Sequence, residues 1–393
     1  MNSFLQDFRY ALRRLRKTPG FTIIAVLTLA LGIGANTAIF TVIDAVLLRP
    51  LPYRDPGKLV LLSEHTPRFP LLSVSYQNFV DWRSQSQSFT AMGAVRNFGM
   101  TLTGSGEPER LTAQMLNANI FDLLGVQAYR GRTFLAEEDK QGAPGVALIS
   151  YGLWQRRFGG KEGQVLGQSL TLDNKPYSVV GILPAGFQVL QQSPDVVLPF
   201  EPWGKTLPDD RGWHAGLLPM ARLKPGVTLE QARSEMDTIG KRLEQQYPAF
   251  NTGTSIIVNQ MQAQMVENVR PALLMILGAV GFVLLIACTN VANLLLARAT
   301  ARKREIAVRT AIGASRWRVV RLVLTESVVL ALLGSTLGLL LANAAVPPLL
   351  QLGSTSLPAN SHAGINATVL LFTTLLAVVC GMLFGLAPAL HMA

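Results

Sequence analysis

The chain has 393 residues, 49% of them hydrophobic and 15% charged, with a mean hydropathy of +0.31, which excludes an ordinary water-soluble globule and points to a membrane protein. Its net charge of +11 is uneven: six basic and two acidic residues precede Pro50, twenty-one and twenty occupy residues 50–270, and eight and two follow. The surplus flanks apolar stretches and leaves the polar block nearly neutral, which argues against a nucleic-acid partner.

In chain order, SFLQDFRYALRRLRK places Phe4, Phe8, Leu12 and Leu15 on one helical face and Arg9, Arg13 and Arg16 on another. Residues 1–20 therefore predict a basic amphipathic helix at the cytoplasmic membrane surface, ended by Thr18-Pro19-Gly20. Residues 21–49 carry the apolar run FTIIAVLTLALGIGANTAIFTVIDAVLL, too long for a cleaved signal peptide, and predict a retained transmembrane helix. The basic flank keeps the N-terminus inside. Gly32, Gly34, Ala35 and Ala38 offer a small-residue packing face, and Asp44 sits near Arg49 at the outer interface.

Residues 50–270 follow outside the membrane and predict an α+β domain of two lobes, large enough for its own core. Ser75 is placed to cap a helix through YQNFVDWRSQ. LTAQML and GVALIS read as strands, NIFDLLG and YGLWQRRFGG as helices. QSLTLD and KPYSVVGIL flank Asp173-Asn174 as a hairpin. Thr228 and Gln231 form a capping box for a helix with Leu229, Ala232, Met236, Ile239 and Leu243 on one face, and SIIVNQMQ is a last strand. The domain lacks cysteine: Cys288 and Cys380 both lie in apolar spans, so no disulfide framework or cysteine zinc site is expected in it.

Residues 271–297 and 322–346 predict a second and third span, separated by a connector over residues 298–321. The connector holds eight basic residues against Glu305, so it belongs on the cytoplasmic side. It breaks at Gly313-Ala314 and restarts at Ser315, a suitable N-cap. On charge alone, a grip for a cytoplasmic partner and a merely topogenic loop stand level. An outer loop, residues 347–364, leads to a fourth span at residues 365–390. Gly334/Gly338 and Gly381/Gly385 are G-x-x-x-G pairs suited to tight helix contacts. Glu326, an acid inside the third span, is expected to pair with Arg321 or Arg318. Asn290 and Asn293 are expected to bond between helices.

RKREIAVRTAIGASRWRVVRLVLTES resembles the signature connector of MacB/FtsX-like ABC transporter permeases. LTAQMLNANIFDLLGVQAYRGRTF, ALISYGLWQRRFGG and SLTLDNKPYSVVGILPAGF resemble the MacB-type periplasmic core domain. RKTPGFTIIAVLTLALGIGANTAIFTVIDAVLLRPLPY is similar to the start of duplicated orphan permeases from acidobacteria, of which this chain would be one N-terminal half. The resemblance implies a permease subunit of an ABC-type efflux or mechanotransmission system in a bacterial inner membrane. It implies that Arg304, Glu305, Ile306, Arg309, Gly313, Ala314, Ser315, Arg316 and Trp317 meet an ATPase subunit. Further implied partners are a second copy or second permease half, and a periplasmic adaptor or outer-membrane channel.

No G-x-x-x-x-G-K-[ST] run occurs, so the ATPase is expected to be a separate polypeptide. His65, His214, His362 and His391 are scattered, and G-x-S-x-G is absent, so no catalytic, cofactor or metal residues are assigned. Glu137-Glu138-Asp139 reads as a solvated turn, and Trp154, Trp203 and Trp213 read as core before groove. The alternative function is a membrane-anchored regulator of envelope partners such as a cell-wall hydrolase.

Overall fold

Proline at a helix's first position needs no amide donor and presets φ, so the chain can end one helix at Thr18 and start another at once. In the computed structural model, which describes residues 2–104, 107–161, 165–300, 316–352 and 364–392, an amphipathic helix Asn2–Arg16 precedes a first span Pro19–Ile43 that continues as a π-turn over Asp44–Leu48. The second span is Arg270–Thr300, the third Arg316–Leu352 and the fourth Ala367–Met392. Each includes a stretch long and apolar enough to cross a bilayer. Contacts divide the chain into a helical unit, Met1–Arg49 with Asn268–Ala393, and an interspan domain, Pro50–Glu267.

In the helical unit, Ala11 and Leu15 of the amphipathic helix are buried in one cluster with Leu29, Ile33, Val291, Leu330 and Phe384. Leu15 packs on the bundle as expected, Leu12 packs partly against it and Ala11 joins them, while Phe8 of the same expected face stays 45% exposed. The third span also runs through Pro347-Pro348 where a stop was expected. Those prolines lose the bonds to the carbonyls of Asn343 and Ala344, a loss a transmembrane helix tolerates when its remaining turns stay packed.

The interspan domain is built on one ten-stranded mixed sheet. Its strands are β1 (Leu59–His65), β2 (Phe89–Thr103), β3 (Glu109–Leu116), β4 (Arg130–Gly131), β5 (Val146–Ile149), β6 (Ser169–Leu172), β7 (Lys175–Ile182), β8 (Val196–Pro199), β9 (Leu218–Leu223) and β10 (Ser255–Gln260). The order is β10-β1-β9-β2-β3-β8-β5-β7-β4, with β6 pairing β2 and β7. Strands 59–116 and 218–260 make one half, and strands 130–199 make a second half inserted in sequence between β3 and β9. The parallel β3–β8 pair and the antiparallel β2–β6 pair join them. Both faces are covered: Val60 and Leu62 point into one core cluster, Leu59 and Leu61 into another.

Local chemistry sets the punctuation. Ser75 Oγ accepts from the Asn78 amide at 3.3 Å and starts the helix Tyr76–Gln85. Thr228 and Gln231 form a reciprocal box at the head of Leu229–Gln246. Asp173 and Asn174 take φ of 45° and 63°, the left-handed pair a two-residue hairpin turn requires.

Polar side chains are buried with their partners. Glu64, 2% exposed, accepts from the Ser75 amide, Asn78 Nδ2 at 2.9 Å and His214 Nε2 at 2.6 Å. Glu201 accepts from the Tyr76 hydroxyl and Arg83, both at 2.7 Å, so burial and this acceptor push the Tyr76 hydroxyl upward. Asp139 is no solvated turn residue. Its carboxylate accepts from Asn117 Nδ2 and the Ala118 and Glu201 amides, while Glu138 takes a two-bond fork from Arg132.

The Glu64 hydrogen bond, opposed by burial, raises His214 above its ordinary value of 6.5. The folded state then holds this proton more tightly than the unfolded chain. Its stabilisation is complete below pH 6.5 and fades as pH rises through the elevated value. We expect His214→Ala to cost about 1.5 kcal/mol below that window and to flatten the alkaline decline. Thermal unfolding at stepped pH reads both effects, and an unchanged pH slope would contradict the assignment.

Candidate functional site

Lipid is as apolar as leucine, so helix association in a bilayer depends on close packing and on polar contacts between helices. Both kinds are concentrated in this bundle. A Cβ on Gly338 would lie 2.9 Å from the Ala30 carbonyl oxygen and 2.9 Å from the Gly34 nitrogen, and one on Gly334 would lie 2.7 Å from Leu29 Cβ. The first and third spans thus touch backbone to backbone. Gly381 and Gly385 make the equivalent approach between the fourth and third spans, against Val328 and Ser327. Phe40 stacks on Phe372 with centroids 3.9 Å apart, and the Thr37 and Thr373 hydroxyls share a hydrogen bond of 3.0 Å.

Two polar fastenings hold the bundle at its ends. At one end Asp44, 3% exposed, accepts from Arg49 Nε at 3.0 Å and from Asn366 Nδ2 at 2.8 Å. Asn366 Oδ1 in turn accepts from the Val369 amide at the start of the fourth span. The π-turn over Asp44–Leu48 lies directly before Arg49, whose amide bonds back to the Asp44 carbonyl.

At the other end Glu326, 5% exposed, accepts from Arg14 Nη1 at 3.1 Å and from Arg298 Nη1 at 3.2 Å. Arg298 also donates to Thr18 Oγ1 at 2.7 Å and lies 4.7 Å over the Phe21 ring. One carboxylate thereby ties together the amphipathic helix, the helix break before the first span, the end of the second span and the beginning of the third. The sequence expectation named Arg321 or Arg318; the side chain of Arg318 lies outside the described residues, and the partners described for Glu326 come from two other helices. Five residues along a helix turn a side chain roughly 140° away, so position 321 does not share a face with position 326.

Asn290 and Asn293 are exposed, in contrast to the expected interhelical bonds. The second span turns Leu284, Ala287, Cys288, Val291 and Leu295 to the bundle, and positions 290 and 293 fall on the opposite side. Asn36 does make such a bond, its Nδ2 donating to the Val280 carbonyl at 2.9 Å. The one signal that could have found it is its place one turn after Gly32, on the face that Gly32 leaves open to Leu284 and Ala287 of the second span. Arg304, Glu305, Ile306, Arg309, Gly313, Ala314 and Ser315 lie outside the described residues, and Arg316 and Trp317 are placed as the first turn of the third helix. Among the described residues no group of His, Cys, Asp or Glu is arranged to hold a metal.

Two family profiles match. The MacB-like periplasmic core domain covers residues 22–239, and the FtsX-like permease C-terminal covers residues 277–393. The chain is 27% identical over 264 residues to the pyoverdine export ATP-binding/permease protein PvdT of Pseudomonas syringae pv. tomato, covering 65% of this chain and 38% of that protein. It is 24% identical over 289 residues to the macrolide export ATP-binding/permease protein MacB of Campylobacter jejuni, covering 70% of this chain and 42% of that one. The chain therefore spans about two fifths of the length of these relatives. Among solved structures, the periplasmic region of MacB from Actinobacillus actinomycetemcomitans is similar with a TM-score of 0.41 at 12% identity, over 58% of this chain and 98% of that one.

Proposed function

The chain belongs to the family of the MacB-like periplasmic core domain, and from that membership we propose that it is the permease component of an ABC-type export system. It couples an ATPase, supplied outside these 393 residues, to movement of the interspan domain. The N-terminus and residues 298–321 lie in the cytoplasm, and residues 50–270 lie in the periplasm. The observation that carries this reading is the Arg14–Glu326–Arg298 cluster. Arg298 and Glu326 flank the connector on either side, so a push on the connector reaches the amphipathic helix and two spans through one buried carboxylate. A helix bundle fastened this way moves as a body when its cytoplasmic end is displaced.

The ATPase grips the connector through Arg304, Glu305, Ile306, Arg309, Gly313, Ala314, Ser315, Arg316 and Trp317. A second copy or second permease half covers the exposed side of the second span, the least buried of the four, where Asn290 and Asn293 stand in the bilayer. A periplasmic adaptor or outer-membrane channel takes over beyond the interspan domain.

The test is co-purification of the chain with its ATPase, before and after reversing charge at Arg304, Glu305 and Arg309. We expect capture to fall at least about tenfold, since several charge-assisted contacts would become repulsive. Undiminished capture by the reversed chain would remove the connector from the coupling role.

A further inference from the structure

The interspan domain has a half-open cavity of about 410 Å³ on one face of its sheet, within the ~300–1,000 Å³ of small-ligand clefts. Its floor follows from strand alternation. Arg96, Phe98 and Met100 sit at every second position of β2, Arg96 stands opposite Met115 of β3, and Met115 stands opposite Leu198 of β8. Trp203 and Tyr177 supply aromatic walls. Asp173, Lys175 and Thr206 are the polar members of the lining besides Arg96, and the rest is apolar or aromatic.

Arg96 gives the cavity its chemistry. Its Nε donates to the Ala215 carbonyl at 2.9 Å, and its guanidinium lies 4.2 Å over the Trp203 ring. Neither terminal nitrogen has a hydrogen-bond partner among the described residues, and no carboxylate among them pairs with it. Arg96 is half-buried; by contrast Arg222 is engaged by the carbonyls of Leu123, Arg54 and Asp55, and Arg211 by Asp81 and Asn78. Burial without a counter-charge lowers the Arg96 guanidinium from its ordinary range. The cavity's one carboxylate, Asp173, accepts from the Thr101 amide at 2.8 Å, and Lys175 at the rim adds a second positive charge.

We infer that this cavity is a binding site for a small organic anion with a flat apolar body, its oxyanion on the free Nη1 and Nη2 of Arg96 and its body between Trp203, Phe98 and the two methionines. Two parallel N–H donors match two oxygens of a carboxylate, sulfonate or phosphate, and the stacked indole holds the guanidinium plane in place for them. The site stands on the domain's own residues and is independent of the ATPase coupling proposed above.

The experiment uses the full chain in lipid nanodiscs, with naphthalene-2-carboxylate as probe and the uncharged naphthalene-2-carboxamide as its match. Binding is measured by calorimetry against empty nanodiscs, which removes partition into lipid. The acid should bind about tenfold more tightly than the amide, as a charge-assisted pair over a neutral one. Arg96→Gln should erase that preference, Arg96→Lys should retain part of it, and Trp203→Leu should weaken both probes. Equal affinity of acid and amide for the unaltered protein overturns the inference without reference to any variant. Retention of the full preference by Arg96→Gln overturns it as well, as does absence of binding by either probe.

Discussion

Glu326→Gln should cost the helical unit about 3–5 kcal/mol, because it leaves two buried guanidinium groups facing an amide in place of a carboxylate. Arg14 and Arg298 are 17% and 13% exposed at the side chain, so water cannot fully replace the lost partner. Folded fraction measured along an SDS titration in mixed micelles gives the size of the loss. A change below about 0.5 kcal/mol would show the cluster to be a surface pair of the kind that contributes little. A second variant separates charge from shape. Converting Arg14, Arg298 and Glu326 together to apolar residues of similar volume should recover much of the stability, since buried ion clusters are often replaceable by good packing. If the cluster also transmits movement, that triple variant stays folded and still fails to couple ATP hydrolysis to export. Stability and coupling are then separated by comparing these two variants alone.

The reading from sequence succeeded where structure is decided within a few residues. Ser75, Thr228 with Gln231, and Asp173-Asn174 each act on their neighbours alone, and the helix starts and hairpin turn follow from them. The strands β1, β8 and β9 gave no such signal. They are buried on both faces, so LVLL and VVLP read as short apolar runs with no alternation to separate strand from helix. β2 was obscured by Gly93 and Gly99, which a strand pattern disfavours. A Cβ at Gly93 would lie 2.6 Å from Asn119 Oδ1, so the glycine admits a helix that passes close over the sheet.

Pairings across the fold were less legible still. Arg14 and Glu326 are 312 positions apart, and only the packing of Ala11 and Leu15 against the bundle brings them together. Glu326 could be recognised as an intramembrane acid, but its partners could not be read from its own helix. The cavity around Arg96 was invisible for the same reason, because its lining comes from β2, β3, β5, β7 and β8 and the short helix Glu201–Gly204 of the domain's two halves. Trp203 belongs to that lining, and Trp154 is buried core at 3% exposure.

Gly338→Leu should separate the first and third spans and cost about 3 kcal/mol or more, at the upper end for overpacking. The added atoms would meet the Ala30 carbonyl and the Gly34 amide, and backbone cannot swing aside as the tip of a side chain can. Gly338→Ala should already cost about 1–2 kcal/mol for the same reason. Because Gly34 faces Gly338 at the same crossing, Gly34→Ala and Gly338→Ala should not add. Once either methyl has parted the helices, the second has less to disturb, and the coupling between them exceeds about 0.5 kcal/mol. The second span supplies the control. Gly278 and Gly281 have nothing within 4 Å of an added Cβ, so alanine there should be neutral or stabilise by up to about 1 kcal/mol through helix propensity. SDS titration of these glycine variants, singly and with the Gly34–Gly338 pair combined, decides the matter. A Gly338 series no worse than the Gly278 control would mean that the spans do not meet at this crossing in the membrane, and the fastening by Glu326 would then be holding helices that are not otherwise in contact there.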